Sequence, residues 1–91
     1  MSELRRTLTV VNEKGLHARA SAKFVETVER FDAKAYVSKD GMEVSGDSIM
    51  GLLMLAAAKG CSIDVAVDGA EADQLIAAID ELVSSRFGED R

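Results

Sequence analysis

The chain has one cysteine, one histidine and no proline. A lone Cys61 cannot close an internal disulfide, and with His17 alone beside it no protein-only zinc site of the usual Cys/His type can form. There is no low-complexity linker and no internal repeat. Basic residues are in the minority, 11 Lys and Arg against 16 Asp and Glu, for a formal charge of -5. That balance argues against nucleic acid, whose backbone rewards basic stripes, and against docking on anionic membranes. The longest apolar run, IMGLLMLAAA at 49–58, is too short to cross a bilayer. The N-terminal MSELRRTLTVV has no long apolar stretch ahead of a cleavage site, so no secretory signal is expected and a cytoplasmic location is. A second histidine, a G-x-S-x-G elbow and a Walker-type glycine loop are all missing, and nothing converges the acidic residues into an acid/base pair. A self-sufficient enzyme is therefore not expected.

What is present fits one domain, 1–91, which buries roughly two-thirds of its unfolded surface. LRRTLTVV at 4–11 reads as a half-buried strand with Leu4, Leu8 and Val10 on one side. Asn12 to Gly15 form a turn or loop. From Ala18 the period changes: Ala20, Phe24, Val25, Val28 and Phe31 recur at helical spacing, with Lys23, Glu26, Thr27 and Arg30 toward water and a stop near Phe31–Asp32. AKAYVSKDGMEVS reads as a hairpin turning at Asp40-Gly41. Asp47 or Ser48 caps a second helix that is expected to run to about Lys59 and end at Gly60. SIDVAVDG alternates, with Ile63, Val65 and Val67 on one face. A last helix is expected over about 71–87, its stripe being Ala72, Leu75, Ile76, Ile79, Leu82 and Val83, with Gly88 following. The order β-α-β-β-α-β-α predicts an α+β open-faced sandwich: a four-stranded antiparallel sheet with three helices packed on one face.

Two stretches carry chemistry. GLHARASAKFV at 15–25 puts His17 at or just before the first turn of helix one. Unpaired N–H groups and a partial positive charge gather there, which favours a neutral imidazole and welcomes a phosphate. Arg19 can add a charge-assisted contact. The same residues also serve simpler ends: a helix-end histidine, a glycine that lets the chain turn, an arginine on a solvated face. The second stretch is SIMGLLMLAAAKG, in which Ile49, Met50, Leu52, Leu53, Met54 and Leu55 circle the axis. A domain this small can hardly enclose such a helix, so part of it is expected to stay exposed as a partner surface. Core filling by Met50 and Met54 is the plainer alternative. Gly51 inside that helix points to the close approach of a neighbour.

GLHAR at 15–19 and DSIMGLLMLAAAKG at 47–60, at this separation and in this order, resemble the HPr family, the histidine-containing phosphocarriers of the bacterial phosphoenolpyruvate-dependent phosphotransferase system. The resemblance implies that His17 accepts a phosphoryl group on Nδ1 from phosphorylated enzyme I and passes it to an enzyme IIA domain, for sugar uptake or its regulation. It implies that Arg19 holds the phosphoryl group, and that Leu16, Ile49, Met50 and Leu53 form an apolar docking patch. Ser48 matches the serine that HPr kinase/phosphorylase modifies in some bacteria. No cofactor is implied, and a carrier that offers one face to successive partners is expected to be a monomer. The nitrogen-related regulatory branch is the alternative within the family, and a binding or sensing α+β domain the alternative outside it. Four positions depart from the family's usual pattern: Ala20 where proline is common, Glu26 and Glu29 where many relatives are basic or neutral, and Asp47 just before Ser48.

Overall fold

Alternation of side chains builds the sheet. In the computed structural model, which describes residues 3–91, the elements are β1 (Leu4–Thr9), α1 (Ala18–Glu29), β2 (Lys34–Lys39), β3 (Met42–Ser45), α2 (Ile49–Met54), β4 (Ser62–Asp68) and α3 (Ala72–Ser84), then a short 3-10 turn at Arg86–Gly88. Met1 and Ser2, the first residues of the expected 1–91 domain, lie outside the described residues. The four strands form one antiparallel sheet in the order β1-β4-β2-β3. The fold class is thus the α+β arrangement that the pattern predicts.

Leu8, Val37, Ile63, Val65 and Val67 are buried on the helix side of the sheet, where they meet Phe24, Leu52, Leu75 and Ile79. Each such side chain contributes about 1.5–3 kcal/mol on burial. The opposite face carries the row Arg5, Ala66, Tyr36 and Ser45. Arg6 is in register with Val65 and so shares the helix side with Leu4 and Leu8. It lies on an edge strand and reaches out to Asp80 of α3 at 2.8 Å. That pair is about half exposed and contributes little to stability.

The Asp40-Gly41 hairpin forms as expected. Both residues have positive φ, 52° and 84°, which gives a primed turn that matches the twist of its strands. Gly51 has the predicted close neighbour: a Cβ there would lie 3.0 Å from Val44 Cβ on β3.

Several boundaries and exposures differ from the sequence reading. β1 ends at Thr9, although Val10 still exchanges hydrogen bonds with the far loop, its N–H to Cys61 O and its carbonyl from Gly60 N–H. Thr27, read as facing water, is buried, and its hydroxyl satisfies itself on Lys23 O at 2.9 Å. Phe31 and Leu82 sit at the rim of the core. Helix α3 ends at Ser84. The largest difference is in α2, which stops at Met54 and does not reach Lys59. Ala56 takes a positive φ of 51°, ending the helix in the manner usually reserved for glycine. The bend turns Ala57 O toward Leu16 N–H, 2.9 Å away.

An L-residue in the left-handed region costs about 1–2 kcal/mol, and glycine's extra unfolded-state freedom gives back less. Ala56→Gly is therefore expected to raise stability by roughly 0.5–1 kcal/mol, read as a higher urea midpoint with an unchanged slope.

Candidate functional site

The site begins with a glycine. Gly15 has φ +64°, and a Cβ there would lie 2.3 Å from Ala57 O and 2.9 Å from Ala58 Cα. Only a bare backbone can pass so close, so the loop after β1 is pressed directly on the loop after α2. Leu16 follows, only 4% exposed and part of the core. It anchors the loop, and its side chain offers no surface to a partner, contrary to the docking role expected for it.

His17 is the N-cap of α1, with extended backbone (φ -78°, ψ -177°) and no side-chain cap bond. Its carbonyl accepts the N–H of Ser21 at 2.8 Å. The N–H groups of Ala18, Arg19 and Ala20 precede that bond and have no intrahelical acceptor. His17 therefore stands at the positive end of a 12-residue helix, as the spacing predicts. Ala20 itself is fully buried.

The ring has a second neighbour that sequence reasoning did not find. His17 Nε2 is hydrogen-bonded to Glu89 Oε2. The other carboxylate oxygen, Oε1, accepts from Asn12 Nδ2 at 2.9 Å, and the same amide group donates to Gly15 O at 2.9 Å. Asn12 is fully buried, and its Oδ1 has no partner among the described residues. Glu89 is held below the ordinary carboxylate range, first by the Asn12 hydrogen bond and then by His17 and Lys14, against the opposing effect of burial.

Glu89 reaches the site because Phe87 is fully buried. Arg86, Phe87 and Gly88 run through the left-handed region at φ 61°, 55° and 78°. Two non-glycine residues there cost about 1–2 kcal/mol each. Burying a phenylalanine returns about 1.5–3 kcal/mol. The turn is secured further by Lys23 Nζ donating to Phe87 O at 2.7 Å. Lys23, read as solvent-facing, is thus committed to the C-terminal tail.

Arg19 is exposed and forms no ion pair among the described residues. It borders a cleft of about 470 Å³ whose other cations are Lys14, Lys23 and Arg91 and whose carboxylates are Glu13, Glu89 and Asp90. Ser48 caps α2 as expected, its Oγ accepting from Gly51 N–H at 3.0 Å. Asp47 is occupied by a hydrogen bond from Ser45 Oγ at 2.6 Å. On α2 itself Leu52 is buried, Leu53 half-buried, and Ile49, Met50 and Met54 are 40%, 70% and 63% exposed. An apolar surface therefore does stand on this helix, centred on its methionines.

No helix is long and apolar enough to cross a membrane, and no cluster of three or more metal-ligating side chains occurs, among the described residues.

The lowered value of Glu89 has a consequence in acid. A group depressed in the folded state stabilises the fold above its ordinary value, here 4.5, and that contribution is lost as pH falls through the lower folded value. A carboxyl-carbon NMR titration is expected to place the Glu89 midpoint below 4.5, and Asn12→Ala to move it upward. A midpoint unchanged by Asn12→Ala would contradict the hydrogen bond as the main cause.

Comparison with known proteins agrees with this layout. Residues 4–85 match the family model described as the PTS HPr component phosphorylation site. The chain is 44% identical over 86 residues to phosphocarrier protein HPr of Neisseria meningitidis, covering 94% of this chain and 97% of that one. It is 36% identical over 88 residues to phosphocarrier protein NPr of Escherichia coli, covering 96% and 98%. In structure it resembles the crystal structure of HPr-C-His from Thermoanaerobacter tengcongensis, with a TM-score of 0.90, 35% identity and 100% of both chains covered. By family model, sequence and fold together, the chain belongs to the HPr family, the non-catalytic phosphocarrier proteins of the phosphotransferase system.

Proposed function

We propose that His17 is the phosphoryl acceptor of this carrier, that it is charged by phosphorylated enzyme I, and that it is emptied onto an enzyme IIA domain. The observation that supports this most directly is the seat of the ring. His17 is the N-cap of α1, at the end where the first-turn N–H groups are free, and Arg19 borders a cleft that is also lined by Glu89, the hydrogen-bond partner of the ring. Nδ1 is the nitrogen left free, because Nε2 is engaged by Glu89.

The chemistry is a nucleophilic displacement at phosphorus. The Nδ1 lone pair forms the N–P bond, and the bond from phosphorus to the donor breaks with its electron pair staying on the donor. In this reading the new phosphoryl oxygens meet the positive end of α1, and the exposed Arg19, unpaired among the described residues, supplies a charge-assisted contact. Delivery is the same step in reverse toward the next acceptor. The carrier positions the group, and each partner supplies the remaining catalytic groups.

Residues 1–91 act as one phosphocarrier domain in this reading, a cytoplasmic monomer presenting one face to each partner in turn. Ile49, Met50 and Leu53 form the docking patch, with exposed Met54 extending it. Sugar uptake and its regulation are the favoured output, since similarity to HPr (44%) exceeds similarity to the NPr of the regulatory alternative (36%). No binding to nucleic acid and no membrane insertion are part of this reading.

Ser48 is proposed as a second phosphorylation site, for an HPr kinase/phosphorylase. Its Oγ lies at the start of α2 and its neighbour Ile49 opens the apolar patch. Phosphate there adds a charge of about -2 beside a surface that must be desolvated on docking. Ser48→Asp is expected to weaken binding of enzyme I, measured by calorimetry, by about tenfold. Unchanged affinity would remove the switch.

The carrier reading itself is tested by intact mass after incubation with phosphoenolpyruvate and enzyme I. Wild type is expected to gain one acid-labile phosphoryl group, and His17→Ala none while keeping its fold by circular dichroism. A phosphoryl group on His17→Ala, or none on folded wild type with active enzyme I, would overturn the assignment.

A further inference from the structure

We propose that Glu89 is a positioning residue for phosphoryl transfer: held by Asn12, it fixes the hydrogen of the His17 ring on Nε2 and so keeps Nδ1 open as the acceptor. The inference rests on the reading of His17 as the phosphoryl acceptor.

The argument is one of donor and acceptor inventory. Two hydrogen-bond donors converge on Glu89 from opposite sides. Asn12 Nδ2 donates to Oε1, and the amide cannot turn over without losing its other bond, to Gly15 O. His17 Nε2 meets Oε2. An ionised carboxylate only accepts, so the hydrogen of a neutral ring must sit on Nε2, and the lone pair is left on Nδ1. Only a carboxylate supplies an acceptor to both neighbours at once.

Glu89 also sits where charge develops. As the Nδ1 lone pair forms the N–P bond, the donor–phosphorus bond breaks with its electrons remaining on the donor, and the ring becomes cationic with its hydrogen still on Nε2. That hydrogen points at the Glu89 carboxylate, which stabilises the cation as a buried carboxylate does in a hydrolase triad. When the group is passed on, the N–P electrons return to Nδ1 and the ring is neutral in the same tautomer, ready for the next cycle.

The tail is built to hold this position. Glu89 follows the left-handed turn that buries Phe87, and Lys23 Nζ ties down Phe87 O at 2.7 Å. On the other side Glu13 N–H bonds Arg91 O at 3.1 Å. Glu89 is thus pinned before and after, and its side chain is only 15% exposed.

The replacement that separates positioning from simple packing is glutamine. With Asn12 fixed as a donor, the amide introduced by Glu89→Gln must turn its oxygen toward Asn12 and its NH2 toward His17. The ring then satisfies that donor by accepting at Nε2, which moves its hydrogen to Nδ1 and closes the acceptor. Alanine removes both contacts and leaves the ring to its own preference. Nitrogen-15 NMR of His17 and the rate of phosphorylation by enzyme I and phosphoenolpyruvate are to be compared in wild type, Glu89→Gln and Glu89→Ala. The expected order of rates is wild type, then Glu89→Ala, then Glu89→Gln, the last about tenfold or more below wild type. The Nε2–H signature of wild type is expected to become Nδ1–H in Glu89→Gln. A milder effect for glutamine than for alanine, with the tautomer unmoved, would overturn the proposal while leaving the carrier reading intact. Failure of wild type to accept phosphoryl would instead sink the carrier reading, whatever the tautomer.

Discussion

The carbonyl of Ala57 is the contact on which the site depends. It accepts Leu16 N–H at 2.9 Å and lies where a Cβ on Gly15 would fall. Around it, Val10 and the Gly60–Cys61 pair exchange two more backbone hydrogen bonds. These bonds stitch the loop after β1 to the loop after α2. The stitch fixes the chain immediately before His17, and with it the direction in which α1 starts. It also holds the loop that follows α2 against the residues just before the histidine. One backbone junction therefore joins the segment that carries the proposed acceptor ring to the end of the helix that carries the proposed docking patch.

Much of this was legible in the sequence, for local reasons. The Asp40-Gly41 turn, the alternation of Ile63, Val65 and Val67, and the stripe Leu75, Ile76, Ile79 and Val83 are each written within a few residues, and each appears. The Ser48 cap and the placement of His17 at a helix start are equally local and equally present. What was not legible depends on distant partners. The end of α2 at Met54 has no stop signal, because Ala56 is an excellent helix former. It is forced into the left-handed region by the Ala57–Leu16 junction. Leu16 reads as a docking residue from its place beside the histidine, yet the same junction turns it into the core.

The C-terminal tail shows the same limit more sharply. Glu89 lies 72 positions from His17, and nothing in the local pattern couples them. The one available signal was Phe87, a large apolar residue at the expected end of α3 and followed by glycine, which demands burial somewhere. Once Phe87 is placed in the core, the direction of Gly88 and Glu89 follows. Asn12 likewise has the sequence signature of an ordinary turn residue. Its burial shows that it is a structural clamp, spending both amide hydrogens on Gly15 and Glu89. The site thus joins the first loop, the first helix and the last residues of the chain. Its acidic members do not conflict with the proposed anion binding, because Glu89 engages Nε2 and leaves Nδ1 unengaged by it.

The central claim is that this geometry presents Nδ1 of His17, and not Nε2, to phosphorus. The most direct test is nitrogen-15 and phosphorus-31 NMR of the phosphorylated carrier, made with labelled histidine so that the one imidazole in the chain is the only nitrogen signal. The account predicts phosphorus bonded to Nδ1, with hydrogen retained on Nε2. Phosphorus on Nε2 would contradict it, because that nitrogen is reachable only if Glu89 and the tail have left the site.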